Sequence, residues 1–439
     1  METFYSISCP PLIGAVFMEP HQNDSDVLVM GGGPAGSATA TRLARMGYRT
    51  TLIEKDYHPR FHIGESLLPL SLPYLEDLGV LDEVDAIGLR KYAAEFHSVY
   101  HGRHIAFPFA EAVRDDYPYA YEVRRSEFDE ILFRNAGTYG VTLMEGCRVD
   151  QATFEDDRLE SVSGFDAAGN RITFRARFFV DATGRDTFLA SALGSKKKNP
   201  KHKSAAMYAH YEGALRNNGE AEGNIAIYWF DKGWFWMIPL KGDTMSVGAV
   251  LKPEYLKSRT VPLEDFMADT IAMCPGVSQR LQMAKRSTPV TGTGNYSYRS
   301  TRMSGRNYVL VGDAYAFIDP VFSSGVHLAL HGAFRASETV ATILENPEMD
   351  QRALRYYETE IRQGLDRFAW FIYRVTTPAI RDLFMNPRDF FGMRRGIISV
   401  LAGDLFRKTP IDRPLLVFQL VYRIKSLLIR LGLARPVTP

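Results

Sequence analysis

The sequence has little of what defines several classes of protein. Its three cysteines, Cys9, Cys147 and Cys274, are odd in number and far apart, so they match neither a zinc site nor a disulfide framework. The formal net charge is only +1, without a basic block of the kind that binds nucleic acid. No apolar run approaches the ~20 residues that span a bilayer. These absences favour a cytoplasmic protein that has no transmembrane segment and binds no nucleic acid.

The N-terminal stretch lacks the marks of a targeting segment. The first 41 residues contain no Lys or Arg, so the positively charged start of a signal peptide is missing. We expect residues 1–25 to form a flexible tail. The 439 residues are 46% hydrophobic and 23% charged, which is typical of a globular enzyme with roughly two or three domains.

A glycine-rich segment after this tail predicts a nucleotide-binding unit. In "DVLVMGGGPAGSATATRLARMGYRTTLIEKD", a strand leads into a GxGxxG loop at Gly31, Gly33 and Gly36, a helix and a second strand ending at Glu54. The glycines permit a tight turn, close approach to a pyrophosphate, and packing of the helix on the strand. The helix N-terminus, where Ala35 lies, offers N–H groups to phosphates. The Glu54 carboxylate can accept hydrogen bonds from ribose hydroxyls.

Two later segments resemble FAD-dependent monooxygenases and indicate that the nucleotide is FAD. "YVLVGDAYAFIDPVFSSGVHLAL" is a strand followed by Gly312 and Asp313, a loop and a helix opened by Gly325. It resembles the motif that holds the flavin ribityl chain, with Asp313 as hydroxyl acceptor. "VRRSEFDEIL" resembles the helix start where an arginine meets the FAD phosphates, and we predict Arg125 rather than Arg124 for this contact.

A third segment departs from the pattern of these monooxygenases. "FFVDATGRDTFLA" resembles their middle Asp-Gly motif, but Ala182 and Thr183 separate Asp181 from Gly184. We therefore expect no direct contact between Asp181 and FAD.

The segment "GWFWMIP" narrows the class of flavoenzyme. Its WxWxIP pattern, with Trp234 and Trp236, resembles the signature of flavin-dependent halogenases. "FHIGESLLP" is similar to the halogenase segment that follows the strand ending at Glu54. Ser324 and Gly325 stand where this family presents backbone N–H groups to a halide ion. The resemblance covers residues 26–345.

The resemblance implies a reaction and a role for several residues. The family uses reduced flavin, supplied by a separate flavin reductase, with dioxygen and chloride or bromide to make hypohalous acid. A lysine then passes the halogen to an electron-rich ring carbon. Lys91, at the start of the alternating segment "KYAAEFHSVY", is the predicted lysine, and water-poor surroundings would lower its pKa. Trp234 and Trp236 would keep organic substrate from the flavin, although core packing at alternate positions explains the pair equally well.

One difference from the family points to the substrate. Halogenases of free tryptophan carry a glutamate just before the Ser/Thr-Gly unit, where this chain has Phe322. Without that carboxylate, charge on a weakly activated indole ring would not be stabilised. The expected substrate is therefore a phenol, hydroxybenzoate or pyrrole, either free or tethered to an acyl- or peptidyl-carrier protein. Glu65 is not expected to replace the glutamate, because its segment should lie along the flavin.

The motifs together predict an α/β protein of the flavin monooxygenase fold. A GxGxxG Rossmann-type FAD domain would carry an inserted, mainly β substrate region and a helical C-terminal segment. The predicted divisions are a core of residues 26–345 with FAD-binding parts 26–80, 120–190 and 290–345, a substrate region of residues 81–119 and 191–289, and a helical C-terminal region of residues 346–439.

Other interpretations of the sequence stay open. The chain could be an aromatic hydroxylase that uses NAD(P)H, a flavin reductase of isoprenoid double bonds similar to geranylgeranyl reductase, or a non-catalytic flavin-binding protein. The amphipathic segment from Arg413 to Leu433 could cover the core, dock an acidic carrier protein, or lie on a membrane surface.

Overall fold

The computed structural model describes residues 24–113, 116–200, 204–294, 297–406, 410–435 and 437. Cys9 and the expected tail up to residue 23 lie outside these residues. The tail ends earlier than predicted, because residues 24 and 25 already belong to the first strand.

The strands are β1 (Asp24–Met30), β2 (Thr50–Ile53), β3 (Leu89–Lys91), β4 (Ala93–Ser98), β5 (Arg103–Pro108), β6 (Ala120–Glu122), β7 (Thr142–Met144), β8 (Arg148–Glu155), β9 (Arg158–Phe165), β10 (Arg171–Asp181), β11 (Lys196–Lys198), β12 (Ala205–Glu212), β13 (Ile225–Phe230), β14 (Gly233–Pro239), β15 (Thr244–Leu251), β16 (Lys285–Arg286), β17 (Thr291–Gly294), β18 (Tyr298–Ser300), β19 (Ser304–Gly305), β20 (Tyr308–Leu310) and β21 (Ala316–Phe317). The helices are α1 (Pro34–Arg45), α2 (Leu72–Leu78), α3 (Leu81–Ile87), α4 (Arg125–Thr138), α5 (Phe188–Ala192), α6 (Pro253–Lys257), α7 (Leu263–Ala272), α8 (Pro275–Arg280), α9 (Ser324–Glu345), α10 (Asp350–Ile372), α11 (Pro378–Met385), α12 (Met393–Ala402) and α13 (Asp412–Arg430).

The first sheet carries the glycine-rich loop. Its strands lie in the order β19-β20-β10-β1-β2-β7, and β20, β10, β1, β2 and β7 are parallel. The β1 residues from Val27 to Met30 are fully buried, as expected for a parallel sheet covered on both faces. Helix α1 packs against α4 and α9. The predicted α/β class, with a parallel nucleotide-binding sheet, is confirmed.

The second sheet separates two hydrophobic cores. Its strand order is β16-β12-β15-β14-β13-β4-β5. On β14, Trp234 and Trp236 belong to the large core shared with the first sheet, whereas Phe235 and Met237 belong to a smaller core with α7 and α8. Because side chains alternate between the faces of a strand, the spacing of the two tryptophans puts both of them on the side of the first sheet.

A glycine on the neighbouring strand makes room for one of these tryptophans. Gly248 of β15 is the register partner of Trp236. A Cβ atom at Gly248 would stand 2.1 Å from Cζ2 of Trp236, which is far inside van der Waals contact. The indole ring therefore lies directly over the backbone of β15.

The helical C-terminal segment is also present, as predicted. Helix α13 packs against α11 and α12, burying Leu415 and Phe418, and Lys425 pairs with Asp382 at 2.9 Å. One face of α13 thus covers the core, and its other face exposes the apolar side chains of Leu416, Leu420, Ile424, Leu427 and Leu431. Within the described ranges, no helix has the length and apolar character needed to cross a membrane.

Replacing Gly248 with Ala is expected to destabilise the fold by about 1–3 kcal/mol, because the added methyl group must displace the Trp236 ring. Urea unfolding monitored by circular dichroism measures the loss. Gly294→Ala in β17 is the matched control, since a Cβ atom there meets nothing within 4 Å. Equal stability of Gly248→Ala and wild type would contradict the close packing of Trp236.

Candidate functional site

A cavity of about 1130 Å³ brings together most of the predicted site residues. Its wall is formed by the glycine-rich loop, the ends of β2 and β20, the first turns of α4 and α9, and one face of β14. The predicted residues that line it are Gly31, Gly33, Ala35, Glu54, Arg125, Trp234, Trp236, Asp313, Ser324 and Gly325. Gly36, Gly312 and Lys91 lie behind this wall.

The glycine-rich loop leaves room for a ligand at one of its three motif positions. Gly31 has a φ of +105°, and a Cβ atom there would lie 2.3 Å from the carbonyl oxygen of Ala182. A Cβ atom at Gly36 would lie 1.8 Å from the carbonyl oxygen of Gly31. A Cβ atom at Gly33 would meet only Arg60, at 3.5 Å. Gly31 and Gly36 therefore serve backbone packing, and Gly33 keeps the cavity open, which fits a pyrophosphate at this loop.

Glu54 is held rigidly at the cavity wall. Its Oε2 accepts a hydrogen bond from the backbone N–H of Gly32 at 2.7 Å, and its Oε1 accepts one from Asp56 at 3.1 Å. Each carboxylate oxygen has two lone pairs, so Glu54 can still accept hydrogen bonds from ribose hydroxyls.

Arg125 lines the cavity, whereas Arg124 points away from it. The Arg124 guanidinium donates to the carbonyl of Lys241 and to Thr244. The guanidinium of Arg125 is largely used within the protein, because it pairs with both oxygens of Asp129 at 2.7 and 3.0 Å and donates to the carbonyl of Ile63. These contacts leave little of its donor capacity for a pyrophosphate.

Arg60 provides a second cation beside the glycine-rich loop, and the sequence motifs did not reveal it. Its Nη2 lies 3.4 Å from Glu54 and its Nη1 lies 3.2 Å from Asp129. The buried Nε of Arg60 has no hydrogen-bond partner among the described residues. Arg60 lines the cavity, and its Nη2 is the atom that a Cβ atom at Gly33 would meet, so this guanidinium can neutralise a pyrophosphate at the loop. Its only sequence signal is its position shortly after Glu54.

Two aspartates differ in their relation to the cavity. Asp313 lines it, and burial raises the pKa of this carboxyl to about 6, which fits an acceptor of ribityl hydroxyls. Asp181 does not line the cavity, because its carboxylate accepts hydrogen bonds from the backbone N–H and hydroxyl of Thr183 and from the backbone N–H of Leu189. Asp181 thus shapes the loop that follows β10.

The first turn of α9 forms an anion-binding position in the cavity. Ser323, before the helix, has a left-handed conformation with a φ of +55°. Ser324 and Gly325 then open a helix of 22 residues, and within the described ranges no side chain caps its first turn. Such a terminus carries positive partial charge and free N–H groups. Phe322 is buried and stacks on Phe384, so the position beside this turn carries no charge.

The tryptophan pair forms the apolar side of the same cavity. The ring centroids of Trp234 and Trp236 are 6.1 Å apart, and Trp236 donates from Nε1 to Ser246 at 3.2 Å. Both residues are core side chains and cavity wall at once, so the two interpretations of "GWFWMIP" are compatible.

The prediction that Lys91 begins an alternating strand was wrong. Lys91 ends β3, which pairs with β6, and a separate strand, β4, starts at Ala93. The strands are interrupted because the side-chain oxygen of Asn224 accepts the backbone N–H groups of both Tyr92 and Ala93. Lys91 therefore lies in a separate two-stranded sheet, outside the second sheet, and its side chain is buried.

Lys91 is buried, with 1% of its surface exposed. Its Nζ donates to the hydroxyl of Ser66 at 2.6 Å and lies 3.8 Å from Oε1 of Glu122. Burial lowers its pKa below the ordinary lysine value. Ser66 lines the cavity, so this serine separates Lys91 from the space where the other predicted residues meet.

Glu65 lines the cavity, as its expected position along the flavin requires. Its Oε1 lies 2.9 Å from Nε2 of His210, and 1% of its surface is exposed. The sequence analysis did not select Ser66 or Glu122. Glu122 could have been noticed because it is a glutamate at the end of a short, otherwise apolar strand.

The comparisons with known proteins agree on one family. The family model described as tryptophan halogenase matches residues 26–118 and 110–378. The tryptophan 2-halogenase of Chondromyces crocatus is 35% identical over 347 residues, covering 78% of this chain and 66% of that enzyme. The 1H-pyrrole-2-carbonyl-[peptidyl-carrier protein] chlorinase of Pseudomonas fluorescens is 28% identical over 411 residues, covering 88% and 90%.

Solved structures show the same fold. A flavoprotein/dehydrogenase from Cytophaga hutchinsonii superposes with a TM-score of 0.84 at 27% identity, covering 92% of this chain and 99% of that one. The myxobacterial chondrochloren halogenase, described as a variant of the FAD-dependent halogenases, gives a TM-score of 0.76 at 29% identity, covering 92% and 96%.

Replacing Arg60 with Gln is expected to weaken FAD binding roughly tenfold, because one charge-assisted contact to the pyrophosphate is lost. Fluorescence titration of the apoprotein with FAD measures the change. The matched control is Arg124→Gln, which removes a guanidinium that points away from the cavity. Unchanged FAD affinity in Arg60→Gln would contradict this placement of the phosphates.

Proposed function

The chain belongs to the flavin-dependent halogenase family, and from that premise we propose that it halogenates an electron-rich aromatic ring, using FADH2, O2 and chloride or bromide. Membership of the family confirms the predicted enzyme class and the FAD cofactor. The observation that carries the finer proposal is the position of Lys91, which is buried and reaches the cavity only through Ser66.

Each wall of the cavity has a separate task in this proposal. Reduced FAD supplies, with dioxygen, the oxidising equivalent that converts halide to hypohalous acid. The N–H groups of Ser324 and Gly325 hold the halide, and Trp234 and Trp236 exclude organic molecules from the oxidation. Glu54, Arg60, Arg125 and Asp313, which line the cavity, would hold the cofactor.

Lys91 transfers the halogen. Burial, which lowers its pKa, shifts the balance toward the neutral amine, which can form a haloamine, and the protonated form can instead donate a hydrogen bond to hypohalous acid. Either state places the halogen beside a buried group and limits the escape of the oxidant into water. The ring of the substrate must then reach Lys91 from the side away from the tryptophan pair.

The substrate proposed for this chain is a phenol, hydroxybenzoate or pyrrole. Phe322 places a buried phenyl ring, not a carboxylate, next to the first turn of α9. The aromatic ring of the substrate must therefore stabilise its own charge with an oxygen or nitrogen atom. The Pseudomonas fluorescens relative is named for a pyrrole group on a peptidyl-carrier protein, which supports a carrier-bound substrate as one form. A separate flavin reductase is the proposed electron donor.

Mass spectrometry tests the reaction directly. Purified protein, a flavin reductase, NADH, bromide and a panel of phenols and pyrroles are expected to give products with the bromine isotope pattern. Lys91→Met is expected to lower product formation by at least about 100-fold while FAD stays bound, because the transferring group is lost. Lys257→Met, which changes an exposed lysine of α6, is the control.

A hydroxylated product from halide-free buffer would favour the aromatic hydroxylase instead. Deuterium carried from labelled reductant into an isoprenoid product would favour the double-bond reductase. Either result, without halogenated product, would overturn the proposal.

Removing the Trp236 side chain is expected to uncouple dioxygen consumption from halogenation. Trp236→Ala should raise the share of consumed dioxygen that appears as hydrogen peroxide or hydroxylated ring, since substrate and water then reach the site of oxidation. Peroxide assay and chromatography measure this share. Phe235→Ala removes a ring from the opposite face of β14 and serves as the control. If both variants couple oxygen to halogenation as wild type does, the tryptophans are packing residues alone.

A further inference from the structure

Glu122 contacts Lys91 from the neighbouring strand. β3 and β6 form a two-stranded antiparallel sheet in which Leu89 pairs with Glu122. The side chains of Lys91 and Glu122 are 1% and 0% exposed, and Nζ lies 3.8 Å from Oε1. Burying two charges costs more than their attraction returns unless further hydrogen bonds satisfy them. The protonation of one group therefore depends on the other.

The hydroxyl of Ser66 connects the two groups. Nζ of Lys91 donates to Ser66 Oγ at 2.6 Å, and Ser66 Oγ donates to Glu122 Oε1 at 3.1 Å. Ser66 and Glu122 also form an isolated backbone bridge, which fixes the position of the hydroxyl. Because a hydroxyl can accept one proton while it donates another, this arrangement is a proton path between amine and carboxylate.

We propose that Glu122 is the proton reservoir of Lys91, and that it holds a proton, received through Ser66, while the amine carries the halogen. This inference rests on the transfer role proposed for Lys91 and adds the residue that frees the amine. Glu122 does not line the cavity, so it is a positioning residue that acts through Ser66 and Lys91.

The protons balance over one turnover. The ammonium of Lys91 passes one proton to the carboxylate of Glu122, leaving an amine and a carboxylic acid. The amine attacks the halogen of hypohalous acid, so the N–X bond forms, the O–X bond breaks, and the departing hydroxide takes a proton from nitrogen to become water. When the ring carbon takes the halogen, the electron pair of the N–X bond returns to nitrogen. Glu122 reprotonates that nitrogen, and the proton lost by the ring restores the pair.

The surroundings favour the state with the proton on Glu122. Burial lowers the pKa of Lys91 and raises the pKa of Glu122 to about 8. Glu65 raises the pKa of Glu122 further, and His210 pairs with Glu65 at 2.9 Å. The ring of Phe109 covers the amine, with its centroid 5.6 Å from Nζ.

A titration of Lys91 tests the reservoir without turnover. In protein labelled with carbon-13 at lysine Cε, the Lys91 signal is the one that is missing from Lys91→Met. In wild type it should move with pH in two steps, because interacting groups titrate jointly. In Glu122→Gln, which keeps the shape and cannot hold a proton, it should move in one step. The midpoint of that step should lie about one pH unit or more below the last step of wild type, since the carboxylate no longer favours the ammonium.

The activity of the FAD-loaded enzyme gives the second readout. Glu122→Gln is expected to lower halogenated product roughly 100-fold while FAD stays bound. As pH rises, the remaining activity of the variant should decline at a lower pH than that of wild type, because glutamine cannot hold the proton that Glu122 holds. Ser66→Ala should have a similar defect. Glu360→Gln is the control, since this partly buried carboxylate of α10 accepts from Arg335 at 3.0 Å and does not line the cavity.

The outcomes separate this inference from the proposed function. If wild type halogenates and Glu122→Gln has the same rate and pH profile, the reservoir is overturned and the proposed function stands. A wild type that makes no halogenated product would overturn the function, and the titration would still decide whether the pair shares a proton. A single-step titration that is identical in wild type and Glu122→Gln would overturn the reservoir in either case.

Discussion

The burial of the Lys91 amine is the constraint on which the active centre depends. An ammonium group removed from water must find a counter-charge, lose its proton, or do both. Glu122 and Ser66 meet that need at 3.8 and 2.6 Å. The same burial lowers the pKa of the amine, which is the direction that the proposed halogen transfer requires. Ser66 connects the buried pair with the cavity, because it contacts Lys91 and Glu122 and also lines the cavity wall.

In the proposed reaction, the wall of the cavity at Ser66 separates the place of oxidation from the place of halogen transfer. Residues of β14 alternate between two cores, and the tryptophan face closes the cavity against the first sheet. Helix α9 directs its N-terminus into the same space at Ser324. In the proposed function, the anion is held at this helix terminus, whereas the amine that uses the product lies behind Ser66.

Much of this arrangement could be predicted from the sequence, because some chemistry imposes strict local patterns. The loop of Gly31, Gly33 and Gly36 needs residues without a Cβ atom, and the alternation of Trp234 and Trp236 follows from the period of a strand. Such patterns are short and contiguous, so the fold class and the main cavity residues followed from them.

The parts that escaped prediction depend on contacts between distant segments. Arg60 comes next to Gly33 only after the chain folds, and the Glu122 carboxylate meets Lys91 only because β3 pairs with β6. The strand break after Lys91 is made by Asn224, which lies more than a hundred residues away in sequence. Arg125 lines the cavity and its contact with FAD stays a prediction, while its pairing with Asp129 could not be inferred from spacing.

The central claim is that halide and lysine occupy two separate places that are connected through Ser66. Anomalous X-ray diffraction from crystals of the FAD complex grown in bromide tests it most directly. The account predicts a bromide peak within hydrogen-bond distance of the backbone N–H groups of Ser324 and Gly325, on the cofactor side of the tryptophan pair. A structure with FAD bound and no bromide at this helix terminus, or with bromide on Lys91 itself, would contradict it.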